Sequence, residues 1–284
     1  MKSLLKLTNE ELENLAIKYK QKEIAKLYNV CPSTVSNQFK IRNLKWPRHT
    51  RQILNINHTY FDNIDTEEKA YFLGFFIADG CVKKMSYKTK DSYRISFDNT
   101  IEDKESILKL HDIICPGSSL RLKHVGSNNK PQYTLQWSSD HMANTLVNKY
   151  HIGLRKTHDG NFKLPEGVIP NHLWRHFIRG FMDGDGHLDN NVLYFVFTSK
   201  PFMEQIMESF KHFNYTIYTI KGKTLSNYWR AVIPIWDGKF KCALRDFLYK
   251  DATIFLKRKW DRFNTEITSN LNNRVLEIVE HRAE

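Results

Sequence analysis

The chain has 284 residues, with 43 Lys and Arg against 31 Asp and Glu, for a formal net charge of +12. That length is enough to bury a core in two or three modest domains, and the charge points to a polyanionic partner, nucleic acid first and an anionic membrane surface second. No apolar run is long enough to span a bilayer, the first ten residues lack a signal core, and Cys31, Cys81, Cys115 and Cys242 are too scattered for a paired-cysteine zinc site or a disulfide framework. A folded, reduced, cytoplasmic protein with no membrane association is expected.

Residues 9–19 read as a helix with Leu12, Leu15, Ala16 and Tyr19 on one face, capped by Thr8 or Asn9. Residues 21–28 give a second helix with Ile24, Ala25 and Leu27 inward. Asn29, Val30 and Cys31 form a tight turn, and Pro32 opens a third helix over 32–43, striped by Val35, Phe39 and Ile41. Two short helices joined by a three-residue turn are the geometry of a DNA-reading helix-turn-helix, which the pattern KEIAKLYNVCPSTVSNQF resembles. Ser33, Thr34, Ser36, Asn37, Gln38 and Lys40 then face the groove, with hydroxyl, amide and cationic groups that suit base edges and phosphates. A small helical bundle for protein contact is the alternative. The unit is expected over 1–45, followed by a basic linker over 46–66 in which Arg48 lies along the DNA backbone.

The remainder reads twice. An apolar helix beginning at Ala70 and ending in Asp79-Gly80 is followed by a strand over 92–97, a helix over 101–114, strands over 119–125 and 132–138, and a helix over 140–150. A second apolar helix beginning at Arg175 and ending in Asp185-Gly186 is followed by a strand over 191–197, a helix over 200–213, strands over 215–220 and 228–235, and a helix over 239–249. Each half is expected to be α-β-β-α-β-β-α, over 67–160 and 161–284, in an α+β fold with pseudo-two-fold symmetry.

Gly74 and Ala78 are four apart, as are Gly180 and Gly184, so each pair shares one helix face. Small residues at that spacing let two helix backbones approach closely, and the two helices are expected to cross with Asp79 and Asp185 side by side at their ends. A carboxylate there meets the negative end of the helix dipole, and two together repel. Bound divalent cations reverse both penalties, and oxygen ligands suit magnesium. Backbone carbonyls of Ala78, Gly80 and Gly184 could add ligands. Gly80 and Gly186 are expected as left-handed caps. The stretch DGDGHLD fails as a calcium loop, having Leu188 and Tyr194 where Gly and Glu belong. His172 and His176 lack the glutamate of a zinc protease and read as a surface pair.

FLGFFIADG (72–80) and IRGFMDGDG (178–186) resemble the paired motifs of the LAGLIDADG homing endonucleases, and the flanks HIGLRKT and LYKDATIFLKRKW resemble theirs too. The resemblance spans roughly residues 60 to 265. It implies two αββαββα halves whose sheets form a saddle in the major groove, and one chain acting as a monomer on a long asymmetric duplex site. It implies that Asp79 and Asp185 bind two or more catalytic Mg2+ ions, with Mn2+ able to substitute. Lys156 and Lys259 are the matches for a lysine near each scissile phosphate, with Lys257 a close rival. One strand would be cut by each half, leaving short 3′ overhangs. The first motif departs from the family in having Ile77 where the second has Asp183, a position that is not the usual metal ligand. The sheets then supply recognition. Arg94, Ser96, Arg121, Lys123, Gln132, Thr134 and Gln136 alternate with apolar residues, which puts them on one face, and their side chains suit base edges. Arg230 is the clearest equivalent in the second half. The resemblance also extends to RNA maturases, and the helix-turn-helix leaves room for a DNA-binding regulator without nuclease activity.

Overall fold

The computed structural model describes residues 3–46, 55–86, 91–116, 118, 120–125, 130–154, 159–189, 192–221, 227–235 and 237–264. These fall into two compact units, 1–54 and 55–284.

In the first unit, the Thr8 hydroxyl accepts the Glu11 N–H at 3.1 Å while the Glu11 carboxylate accepts the Thr8 N–H at 2.8 Å, a reciprocal cap that starts α1 (Asn9–Lys18). Helix α2 (Gln21–Leu27) and helix α3 (Pro32–Ile41) follow, separated by a turn in which Asn29 takes a left-handed φ of 53°. Leu4, Leu7, Leu12, Ala16, Ile24, Ala25, Val35 and Phe39 form the core. The Arg42 guanidinium donates to the carbonyls of Leu7 at 2.5 Å and Leu5 at 3.0 Å, tying the end of α3 to the chain before α1. Three expected core positions are instead exposed: Tyr19, Leu27 and Ile41. Each lies at or beside a helix C-terminus, where the apolar stripe has rotated off the small core.

The second unit begins with α4 (Glu67–Asp79), which leads into β1 (Gly80–Ser86) and β2 (Asp91–Thr100). Then come α5 (Lys104–Ile114), β3 (Arg121–Val125), β4 (Lys130–Ser138) and α6 (Asp140–Asn144), the last continued by a π-helical turn over Thr145–Lys149. The second pass gives α7 (Asn171–Asp185), β5 (Gly186–Asp189), β6 (Val192–Phe197), α8 (Lys200–Met207), β7 (Thr216–Lys221), β8 (Asn227–Pro234) and α9 (Gly238–Tyr249). The sheets have matching antiparallel orders, β1-β2-β4-β3 and β5-β6-β8-β7. The α+β duplication is therefore as expected. The strand bounds add something the periodicity did not resolve: β1 and β5 start at the glycine directly after each motif aspartate, because hairpin pairing with β2 and β6 extends a segment too short and polar to announce itself.

One face of each sheet is buried. Val82, Ile95, Phe97, Leu135 and Trp137 line it in the first half, and Leu188, Leu193, Phe195, Phe197, Ala231 and Ile233 in the second. Helices α4 and α7 pack against each other between the halves with almost no side-chain layer. A Cβ placed on Gly74 would lie 2.0 Å from the Phe177 carbonyl oxygen, and one on Gly180 would lie 1.9 Å from that of Tyr71. The small-residue spacing is thus used as a backbone-to-backbone contact.

Candidate active site and nucleic-acid interface

Helices α4 and α7 end at Asp79 and Asp185, and the helix contact carries on to that end. A Cβ on Gly184 would lie 2.3 Å from the Ala78 Cβ and 3.1 Å from an Asp79 carboxylate oxygen. Asp79 therefore abuts the residue that precedes Asp185. Asp79 is exposed and Asp185 partly so, leaving carboxylate surface open to solvent.

Gly80 and Gly186 are not left-handed caps. Their backbones are extended, with φ −77° and ψ 157° at Gly80 and φ −76° and ψ 148° at Gly186, since each already begins a strand. Glycine is required there for space: a Cβ would lie 2.2 Å from the Phe76 ring at Gly80 and 2.5 Å from the Met182 carbonyl oxygen at Gly186.

Residues 257–264 are helical, and Lys259 on that turn is buried with its ammonium donating to the Gly186 carbonyl. Burial, with Arg258 adjacent, pushes its pKa down to about 8, while Asp183, Asp103 and Asp79 pull the other way. Lys257 is 77% exposed and pairs with Asp261 at 2.6 Å, so of the two rivals Lys259 is the one beside the motif ends. Lys156 and Arg48 lie outside the described residues.

Sequence reasoning passed over the polar network behind this site. Asp183, fully buried, accepts hydrogen bonds from the hydroxyls of Tyr71 and Tyr249, both at 2.9 Å, and from the Leu256 N–H at 2.7 Å. Burial raises its pKa to about 6 against those same bonds. One turn earlier, the buried Arg179 guanidinium bonds to Glu67 at 2.6 Å and to the carbonyls of Leu248 and Ile254. Glu67 also accepts from the N–H and hydroxyl of Thr253. Together these groups fix the stretch 253–256 that delivers Lys259. The visible signal was a lone arginine and a lone aspartate on an otherwise apolar helix face.

His176 corrects the surface-pair reading. It is buried, and its imidazole lies 2.8 Å from Arg179, whereas His172 is exposed. A residue five positions into an amphipathic helix faces inward when Arg179, three further on, is also drawn in by Glu67. Burial first, then Arg179, lowers the His176 pKa to about 4 from 6.5. Between pH 6.5 and 4 the unfolded chain binds a proton that the folded chain does not, so this histidine's stability contribution falls as pH drops through that window. We expect His176→Gln to flatten the decline of Tm between pH 6.5 and 4. Parallel slopes in the two proteins would refute the assignment.

The unburied face of the first sheet carries Arg94, Ser96, Thr134, Gln136, Gln132, Arg121 and Lys123, as the cross-strand pairs Ser96–Gln136, Arg121–Thr134 and Lys123–Gln132 require. Lys123 pairs with Asp98 at 2.7 Å, and Asp98 was not expected on this face. Thr134 faces the same way but is buried, at 5% exposure, which corrects its reading as a DNA contact, and neither its hydroxyl nor one Asp98 oxygen has a hydrogen-bond partner among the described residues. In the second sheet, Arg230 lies over the Tyr194 ring at 4.7 Å. His187, directly after Gly186, shares that open face, as its pairing with Tyr194 shows, and was missed because only its neighbours belong to the motif. On α3, Ser33, Ser36, Asn37 and Lys40 are exposed, and Thr34 and Gln38 partly so. The Ser33 and Thr34 hydroxyls each approach the Cys31 sulfur at 3.0 Å, and the Gln38 oxygen accepts from Arg42 at 3.2 Å, so these three are partly engaged at home.

No group of three or more His, Cys, Asp or Glu gathers among the described residues. Two carboxylates at adjoining helix ends, with the nearby carbonyls of Ala78, Gly80 and Gly184, are oxygen donors of the kind that would suit a hard divalent ion. They do not make a closed protein cage. No described helix is long and apolar enough to cross a membrane.

Residues 174–267 match the family model of the LAGLIDADG-like domain. No curated protein matches the sequence. Among solved structures the chain is similar to I-SmaMI bound to an uncleaved DNA target in the presence of calcium ions, at 13% identity and a TM-score of 0.48, over 75% of this chain and 96% of that one. It is also similar to I-DmoI in complex with DNA and Mn, at 18% identity and a TM-score of 0.39, over 67% of this chain and 97% of that one.

Proposed function

We propose that the chain, whose residues 174–267 match the model of the LAGLIDADG-like domain, is a LAGLIDADG-type site-specific double-strand DNA endonuclease dependent on a divalent metal. The observation that carries this reading is the meeting, at the ends of α4 and α7, of Asp79 with the segment Gly184–Asp185, beside the desolvated ammonium of Lys259. A purely structural pair of helix-end carboxylates works against the helix dipoles. A phosphodiester-cutting centre needs them there.

In this reading Asp79 and Asp185 hold divalent ions, Mg2+ in the cell and Mn2+ as a substitute. When bound, such ions polarise the scissile phosphate and lower the pKa of an attacking water. Lys259, largely protonated at neutral pH with a pKa of about 8, faces the developing negative charge. Lys156 would do the same in the first half. Each half cuts one strand, leaving short 3′ overhangs. The first sheet reads base edges through Arg94, Gln136 and their neighbours. The α3 residues and Arg48 extend the site, making it long and asymmetric, and one chain supplies both halves as a monomer.

The direct test is cleavage of a randomised duplex library with magnesium or manganese. Specific double-strand cuts support the enzyme. Duplex binding without cutting would favour a regulator, and binding only to structured intron RNA a maturase. Within this assay we expect Lys259→Met to lower the cutting rate by about 10² to 10³, and Lys257→Met to stay near wild type. The reverse order would transfer the role to Lys257.

A further inference from the structure

The two sheets are alike in topology and opposite in chemistry. The open face of the first carries Lys83, Arg94, Arg121 and Lys123 beside Asp98, with Ser and Gln between them. The equivalent face of the second carries His187 and Asp189 on β5, Val192, Tyr194 and Val196 on β6, Tyr228, Arg230 and Val232 on β8, and Thr216, Tyr218 and Ile220 on β7. These strands follow strict alternation: Leu193, Phe195, Ala231 and Ile233 are buried in the core, while the residues between them are partly open and Tyr218 is 41% exposed. Arg230 is the single Lys or Arg that β5 to β8 present there among the residues with described side chains, and it already lies over the Tyr194 ring.

Such a face offers a duplex few phosphate contacts, limited to Arg230, His187 and the Thr and Tyr hydroxyls. It can bind one in the major groove through apolar contact. The apolar group exposed on base edges in that groove is the 5-methyl of thymine. Arg230 is the exception that fits the same picture. Its guanidinium carbon lies 4.7 Å from the Tyr194 ring centroid, and its Nε is buried with no hydrogen-bond partner among the described residues. The terminal nitrogens are the part left to donate outward, in the fork that matches guanine O6 and N7.

We propose that the half-site under β5 to β8 is recognised by thymine-methyl contacts with Val192, Val196, Val232 and Tyr218 around one guanine read by Arg230. The half-site under β1 to β4 is recognised mainly by hydrogen bonds. This deepens the endonuclease reading and rests on it.

The experiment selects sites from a randomised duplex library with the full chain. Arg94→Ala identifies the half read by the first sheet, as the half whose base preferences it relaxes. Thymines are then replaced by deoxyuridine, which lacks only the methyl, one half at a time, and affinity is measured. Replacement in the second-sheet half should weaken binding about fourfold per contacted methyl, as expected for removing ~0.8 kcal/mol each, while replacement in the other half should change it less than twofold. Arg230→Gln should erase a guanine preference in the second-sheet half alone. Equal losses in the two halves, or a second-sheet half without thymine, would overturn this inference and leave the endonuclease reading standing. Recovery of no preferred duplex at all would overturn both.

Discussion

Replacing both Asp79 and Asp185 by Asn is expected to reduce double-strand cleavage by at least about 10³, while duplex affinity in magnesium-free buffer stays close to wild type. The size follows from what bound ions contribute, several kcal/mol of transition-state charge stabilisation. Asn keeps the shape of the side chain but loses the charge that, in the proposed reading, would hold a divalent ion. A second readout separates this role from a structural one. Both positions sit at helix C-termini, where the dipole disfavours an anion, so the variant should melt at the same temperature as wild type or higher when no metal is present. A lower Tm together with lost cleavage would mean that the carboxylates hold the fold, and the catalytic assignment would fall.

Gly180→Ala is expected to be among the most damaging single-methyl changes in the chain. The added carbon would lie 1.9 Å from the Tyr71 carbonyl oxygen and 3.0 Å from the Phe75 backbone nitrogen. Both are backbone atoms of a buried helix, so no side chain can swing aside, and the two helices must separate. Separation opens the Phe75, Phe177 and Phe181 layers and shifts Asp79 against Asp185. Overpacking of this kind costs about 3 kcal/mol, which for a unit of this size lowers Tm by roughly 6–12 °C. Gly238→Ala, where a Cβ meets nothing within 4 Å, is the control and should be neutral or slightly stabilising. Thermal unfolding of the two variants beside wild type decides the matter: comparable Tm values would show that the α4–α7 contact is looser than its geometry.

The sequence by itself determined the duplication, the α+β class and the crossing of the motif helices. Local rules govern each of these: alternation specifies strands, small residues four apart specify a close helix contact, and a Thr with Glu three residues on specifies a cap. The resemblance supplied the chemistry, by naming the two helix-end aspartates and a late lysine. Tertiary structure alone decided the rest, wherever a residue's role depends on partners distant in the chain. Gly80 and Gly186 looked like caps because Asp-Gly after a helix usually is one, but pairing with β2 and β6 draws them into extended strands. His176 looked like surface until Glu67 drew Arg179 inward from more than a hundred residues away. Lys257 and Lys259 cannot be ranked by spacing. They are ranked by a half-turn of helix, which points one at Asp261 and solvent and the other at the Gly186 carbonyl. The chemical contrast between the sheets was likewise present in the letters, but only the register shows which residues share an open face, since a slip of one residue would exchange that face with the core.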